Sequence, residues 1–436
     1  MSSANPKLRG QESPQSNWYR YYPGFSERFA RGALESARLG DGEWVLDPWN
    51  GSGTTTATAT ALGINVLGFD LNPVMALVAK ARCLDEAEYS SLRPLASEIL
   101  RQASKPSQAA EDDPLAAWLR PEAVSSIRSV EASIQRLLVD SRRYTTLKSL
   151  GVDDISDLAA FFYVGMFRML RELLHPFVTS NPTWIKRAES GRSLLRPAPG
   201  KVRKVFKQHL ANMILSAPAG PKSRARNERK IGVASSEKLP LEDQSIGHII
   251  SSPPYCTRID YAVSTSPELA LLGYNLETDF ELLRRRLIGT PTVPSTVPEI
   301  PKDLGMSCLR FLEALNRHAS KASSTYYYKN HLQYFLSIGN SLSEISRVLK
   351  PRGRCVLVVQ DSYYKDLHND LPTIFSEMAE LRGLRERART NFSLSWTMAG
   401  INPRANEYRN ASSAIESVLI LQRLDSARQR NVGQAV

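Results

Sequence analysis

An α/β fold on a doubly wound, mostly parallel sheet is what the order of elements in this 436-residue chain predicts. Two observations carry that expectation. Near the N-terminus two apolar strand patterns, WVLD at 44–47 and NVLGFD at 65–70, are each followed by a helical pattern, and strand, helix, strand, helix builds a parallel sheet. Strand patterns then return after residue 230, so a long helical stretch reads as an insertion into one sheet domain.

Residues 1–16 are polar and read as a flexible N-terminus without the apolar core of a signal peptide. After the strand at 44–47, Gly51 and Gly53 mark a turn, and TTTATATALG continues as a helix. The strand at 65–70 leads into a second helix, LNPVMALVAKARC. From 84 to 230 the apolar residues recur at spacings of three and four, over 87–104, 122–140 and 154–177, with Pro-rich breaks at 105–114 and 190–201. KIGVA at 230–234 and GHIISS at 247–252 resume the sheet. An amphipathic helix beginning at the Tyr326–Tyr328 run, a Pro-Arg-Gly turn, the strand Arg354–Gln360, a helix at 372–384 and a last strand, ESVLILQRL, complete it. The expected division is a catalytic domain of 17–83 and 231–425, a helical insertion of 84–230, and a flexible tail of 426–436.

The net charge is +12, which points to a polyanionic partner rather than an acidic small molecule. Between Lys186 and Lys230, Lys and Arg outnumber Glu by eleven, nearly the whole excess. The four cysteines, Cys83, Cys256, Cys308 and Cys355, are far apart, so neither a metal site nor a disulfide framework is expected. The longest apolar run, near Leu158–Phe167, is too short to span a bilayer. A cytoplasmic protein without a membrane segment is the expectation.

The stretch DPWNGSGTT lets a ligand approach the backbone beside a helix N-terminus. Asp70 closes the next strand, where carboxylates of doubly wound sheets hydrogen-bond a ribose diol. A dinucleotide fingerprint lacks its third glycine, since Thr56 stands there, and a phosphate loop lacks its lysine. Asp47 suits an ammonium group better than a pyrophosphate. These features together favour S-adenosylmethionine, which has an amino acid and a ribose but no phosphate.

The stretch IISSPPYCTRIDY ends a buried strand with two prolines and an aromatic ring. Proline fixes φ and donates no hydrogen bond, so a rigid turn is built there. An exocyclic amine conjugated to a ring is a poor nucleophile. A hydroxyl oxygen on Ser252 and a carbonyl beside Pro253 and Pro254 could accept its two N–H bonds and aim its lone pair at a methyl donor, while Tyr255 stacks on a base that has left the duplex.

DPWNGSGTT, GFDLNP and SSPPY together resemble the motifs of the amino-methylating DNA methyltransferases, over about 17–83 and 231–422. The resemblance implies a class I methyltransferase (Rossmann-like) fold that uses S-adenosylmethionine. It implies a cofactor site of Tyr22 and Phe25, of Asp47, Trp49, Gly51, Ser52, Gly53 and Thr54, of Asp70 and Leu71, and of Ser235, which replaces an expected Asp against the adenine. The catalytic set is then Ser252, Pro253, Pro254 and Tyr255. Ser-Pro-Pro-Tyr goes mostly with N4 of cytosine in this family. The alternatives are N6 of adenine, an RNA amine, or a non-catalytic nucleic-acid-binding homologue. RNA enzymes of this kind usually show Asp-Pro-Pro-Tyr and an added N-terminal domain. Cys256 follows the tyrosine rather than a proline, against a covalent mechanism.

The implied partner is double-stranded DNA, in a restriction-modification or phage-defence setting with a cognate restriction endonuclease or other defence protein. Phosphates need Lys and Arg on an accessible surface. The candidates are Trp184, Lys186, Arg187, Lys201, Arg203, Lys204 and Lys207 in the basic tract, with Arg258, Arg284 and Arg285 nearer the catalytic turn. No metal is expected.

Overall fold

The computed structural model describes residues 4–8, 12–20, 24–104, 110, 112–139, 148, 151–179, 184–217, 227–256, 260–394 and 414–425. The tail expected at 426–436 lies outside them.

Strand β1, Trp44–Asp47, starts the sheet, and its alternate side chains go to opposite faces, Val45 into one buried cluster and Leu46 into another. Strand β2, Asn65–Asp70, and strand β3, Arg229–Val233, extend the sheet to one side of β1. Strand β4, Ile246–Ser251, and strand β5, Leu349–Gln360, extend it to the other. These five are parallel. A small hairpin follows, β6 Ser362–Tyr364 and β7 Leu367–Asn369. Two antiparallel strands close the far edge, β8 Leu384–Leu394 and β9 Ala414–Arg423, in the order β3-β2-β1-β4-β5-β9-β8. This is the doubly wound, mostly parallel sheet of the class I methyltransferase expectation. The chain leaves β1 toward β2 and returns beside it as β4. The crevice at the carboxyl ends of β1 and β4 is therefore the switch point where ligands bind in such sheets.

Helix α1, Glu27–Ser36, starts at Ser26, whose hydroxyl accepts the Phe29 N–H. Helix α2, Thr54–Ala61, is threonine-rich and so intrinsically weak, but its hydroxyls are used: Thr55 donates to the Ile250 carbonyl and Thr56 to Gly53. Helix α3, Pro73–Arg82, is capped by Asn72 and has proline at its first position.

Helices α4 (Tyr89–Gln102), α5 (Pro121–Leu138), α6 (Asp157–Leu173) and α7 (Pro199–Leu215) share one buried cluster with α3. Helices α8 (Ser266–Leu271) and α9 (Asp279–Arg286) join that cluster. Helices α10 (Met306–Arg317), α11 (Tyr328–Val348) and α12 (Leu371–Glu380) pack on the sheet with Leu46, Phe69 and Ile249.

Three expectations need correction. Residues 4–8 and 12–16 are docked rather than loose: the Pro6 carbonyl accepts the Ser26 N–H, Gln15 is buried, and Ser13 hydrogen-bonds Glu27. The strand expected at Arg354–Gln360 begins at Leu349, and the Pro351–Gly353 turn is an irregularity inside it: the pairing shifts between Ile246–Leu349 and His248–Arg354, and Arg352 has φ of 63°. The helix expected to reach 384 stops at Glu380, because β8 begins at Leu384. Among the described residues no helix is long and apolar enough to cross a membrane.

Candidate active site

The first corner of the site follows β1. Gly53 caps α2 in the left-handed region at φ 82°, and a Cβ there would stand 2.6 Å from that of Ala79. Only glycine lets the turn lie this close to α3. Asp70 accepts the Gly51 N–H (2.9 Å) and the Asn72 N–H (2.8 Å), locking the turn to the end of β2. Asp47 is buried, accepts the Trp49 N–H (3.2 Å) and takes a hydrogen bond from the Ser251 hydroxyl. Burial pushes both carboxyls up, each to about 6, against the hydrogen bonds that favour the charged forms. Trp49 Nε1 and Asn50 Nδ2 are buried donors without a partner among the described residues.

The second corner follows β4. The Ser252 hydroxyl donates to the Val358 carbonyl (3.0 Å), leaving its oxygen free to accept. The Tyr334 hydroxyl donates to the Pro254 carbonyl (2.9 Å), and the Tyr255 N–H donates to the Tyr261 hydroxyl (3.3 Å). The turn is thus held from outside while its second carbonyl, that of Pro253, has no partner among the described residues. Cys256 is buried, and burial pushes its thiol well up, so no thiolate forms near neutral pH.

One cleft joins the two corners. Phe25, Asp47, Trp49, Gly51, Ser52, Thr54, Asp70, Leu71 and Ser235 line it together with Ser252, Pro253, Pro254 and Tyr255. Gly53 is not on the wall; it shapes the turn behind it. Tyr22 lies outside the described residues. Tyr261, Arg286, Leu287 and Ile288 also line the cleft and were not expected. Tyr261 could have been found, six residues beyond Tyr255 in the same stretch. Arg286 to Ile288 belong to the stretch 281–301, whose arginines read as a DNA contact and not as a wall of the cleft.

Two carboxyls held near 6, two unpartnered donors and a glycine-lined wall fit S-adenosylmethionine, with a carboxyl to face its ammonium, another for its diol and space for its adenine. Ser235 accepts the Glu237 N–H (3.2 Å) on its own loop. Among the described residues no group of His, Cys, Asp or Glu could hold a metal ion.

None of the basic-tract candidates lines the cleft. Trp184 is exposed, as are Lys186 and Arg187, and Arg187 donates to the Leu276 carbonyl (2.8 Å). Lys201, Lys204 and Lys207 are exposed on α7 and Arg203 is half-buried there. Arg258 lies outside the described residues. Arg284 is half-buried and pairs with the buried Asp260 (2.6 Å) and with Glu281 (3.2 Å). Arg285 is exposed, and Arg286 beside it reaches the cleft.

No protein-family model matches the chain. It is 25% identical over 370 residues to the Type II methyltransferase M.BsoBI of Geobacillus stearothermophilus, covering 80% of this chain and 69% of that protein. It is 23% identical over 369 residues to the Type II methyltransferase M.MvaI of Kocuria varians, covering 77% and 73%. Among solved structures, a geranyl diphosphate methyltransferase in complex with SAM covers 91% of this chain and 85% of its own at 8% identity and a TM-score of 0.33, a likeness too loose to support an inference.

Proposed function

We propose that this chain is a DNA methyltransferase that moves a methyl group from S-adenosylmethionine to the exocyclic N4 of a cytosine turned out of the duplex. The observation that carries the reading is that the glycine corner and the SSPPY corner, almost 200 residues apart in sequence, share one cleft. Its relatives, Type II methyltransferases, support the same class of chemistry.

When bound, S-adenosylmethionine supplies a methyl group made electrophilic by its sulfonium. The residues of this chain do the rest. Asp47 and Asp70 hold and orient the cofactor through charge and hydrogen bonding. The Ser252 oxygen and the Pro253 carbonyl accept the two N–H bonds of the amine, so its lone pair turns out of conjugation toward the donor. With the amine held by Ser252 and Pro253, its N–CH3 bond would form as the S–CH3 bond of a bound cofactor is lost, and one N–H proton would leave to solvent. Tyr255 offers the base a face in place of the neighbours it lost.

Exposed residues such as Lys201, Lys204 and Lys207 suit a polyanion, and the likeness to Type II methyltransferases makes DNA the favoured one. Incubation with methyl-labelled cofactor and DNA, followed by digestion to nucleosides and mass spectrometry, tests this. N4-methyldeoxycytidine is the expected product. N6-methyldeoxyadenosine would move the target to adenine, and methylated ribonucleosides alone, from RNA, would overturn the substrate class. Absence of cofactor binding by calorimetry would leave a nucleic-acid-binding protein without this activity.

A further inference from the structure

Residues from opposite ends of the chain meet at the catalytic turn. The N-terminal segment is fixed by the Pro6–Ser26 hydrogen bond (2.8 Å), and Ala4 packs beside Phe29, Val358 and Val418. From this segment Lys7 Nζ donates to the Gly24 carbonyl at 2.9 Å and the Tyr255 hydroxyl at 2.8 Å, and lies 3.3 Å from Glu416 Oε1 as an ion pair. Glu416 pairs with Gln360 across β9 and β5, and its side chain is 1% exposed. Among the described residues Lys7 is the one cation within ion-pair distance of it.

An ammonium has three protons; two go to the Gly24 carbonyl and the Tyr255 hydroxyl, and the charge stands in ion-pair contact with Glu416, whose carboxylate oxygens have no hydrogen-bond partner among the described residues. These contacts draw the ammonium toward the catalytic turn and the buried Glu416. An ion pair whose carboxylate is buried adds little to the stability of a fold, since desolvation offsets most of the attraction. What the pair does secure is the phenol end of Tyr255, whose backbone end is held by Tyr261.

We infer that Lys7, itself held by Glu416, is a positioning residue that presets the stacking ring of Tyr255 before the base arrives. The inference rests on the reading of Ser252–Tyr255 as the amine-binding turn. The ring is then pinned at both ends, and stacking costs no ordering of it.

The test compares single-turnover methyl transfer on DNA by the full-length wild type, Lys7→Met, Lys7→Arg and the double variant Lys7→Met/Glu416→Gln, with cofactor affinity measured alongside by calorimetry. Loss of ring placement should slow Lys7→Met by about ten- to a hundredfold. Cofactor Kd should change much less than the rate, since Lys7 does not line the cleft and touches its wall only at the Gly24 carbonyl and Tyr255. Lys7→Arg, which can still donate to the phenol, should recover most of the rate. If Lys7→Met fails to fold because Glu416 is left buried without a cation, the double variant carries the test, having removed both charges. A double variant as fast as wild type overturns the inference, and so does a loss confined to cofactor affinity. A wild type that transfers no methyl group to DNA defeats the functional reading itself and takes this inference with it, and it is recognised before any variant is compared.

Discussion

Asp47 and Asp70 carry both halves of the residue-scale account: sequence spacing identified them, and burial decides how they behave. Each has its folded-state pKa raised from 3.8 to about 6 by loss of solvent. The free protein therefore binds protons more readily folded than unfolded, so this pair lowers stability as pH rises from about 4 to about 6. Cofactor binding runs the other way, because an ammonium and a diol are held by ionised carboxylates. Calorimetry should show affinity falling by at least about tenfold between pH 7.5 and pH 5, as both groups take up protons. A flat profile would mean that neither carboxylate faces the ligand. Lys7 was not foreseeable, because NPKLRG has no local pattern, and of its partners only Gly24 is near in sequence, while Tyr255 and Glu416 lie 248 and more residues away.

At the scale of elements, what could be foreseen was whatever its own periodicity dictates. β1, β2, α3 and β4 are apolar runs with turn or cap residues at their ends, so local chemistry and tertiary burial agree. β8 escaped, because LRERARTNFSL carries three arginines and a glutamate and reads as coil. It is an edge strand, paired only with β9, and charge on an edge blocks pairing with other chains. The basic tract was foreseen as charge but not as structure. Its α7 buries Val202, Val205, Phe206, Leu210 and Met213 and leaves Lys201, Lys204 and Lys207 outside. Helical spacing thus separates a packing face from a cationic one. Changing those three lysines to glutamine should leave the melting temperature nearly unchanged. If the face follows a DNA backbone, the slope of log affinity against log salt should fall by about 0.9 for each phosphate no longer neutralised, up to roughly 2.7. An unchanged slope would take α7 out of the interface.

The whole molecule shows why an insertion read from sequence need not be a separable domain. All ten residues of α3 are buried, with the sheet on one side and α4 to α7 contributing to the same cluster. Its Lys80 ammonium donates to the carbonyls of Val152, Asp153 and Ile155 at 2.9, 2.8 and 2.7 Å, so even its charged end is completed by the helical stretch. Its Arg82 instead faces the glycine corner, donating to the Ser52 carbonyl (2.9 Å) and pairing with Glu27 (2.7 Å). α3 therefore joins the helical stretch to the cofactor wall. Uncovering Val74, Met75, Leu77 and Val78 would cost about 1.5–3 kcal/mol each, comparable in sum with the whole stability of a domain, about 5–15 kcal/mol. A variant in which a short Gly/Ser linker replaces residues 89–217 should consequently show no cooperative melt and no cofactor binding. Were it instead to melt cooperatively and bind the cofactor with wild-type affinity, the helices would be an independent module, and the cofactor site would owe nothing to them.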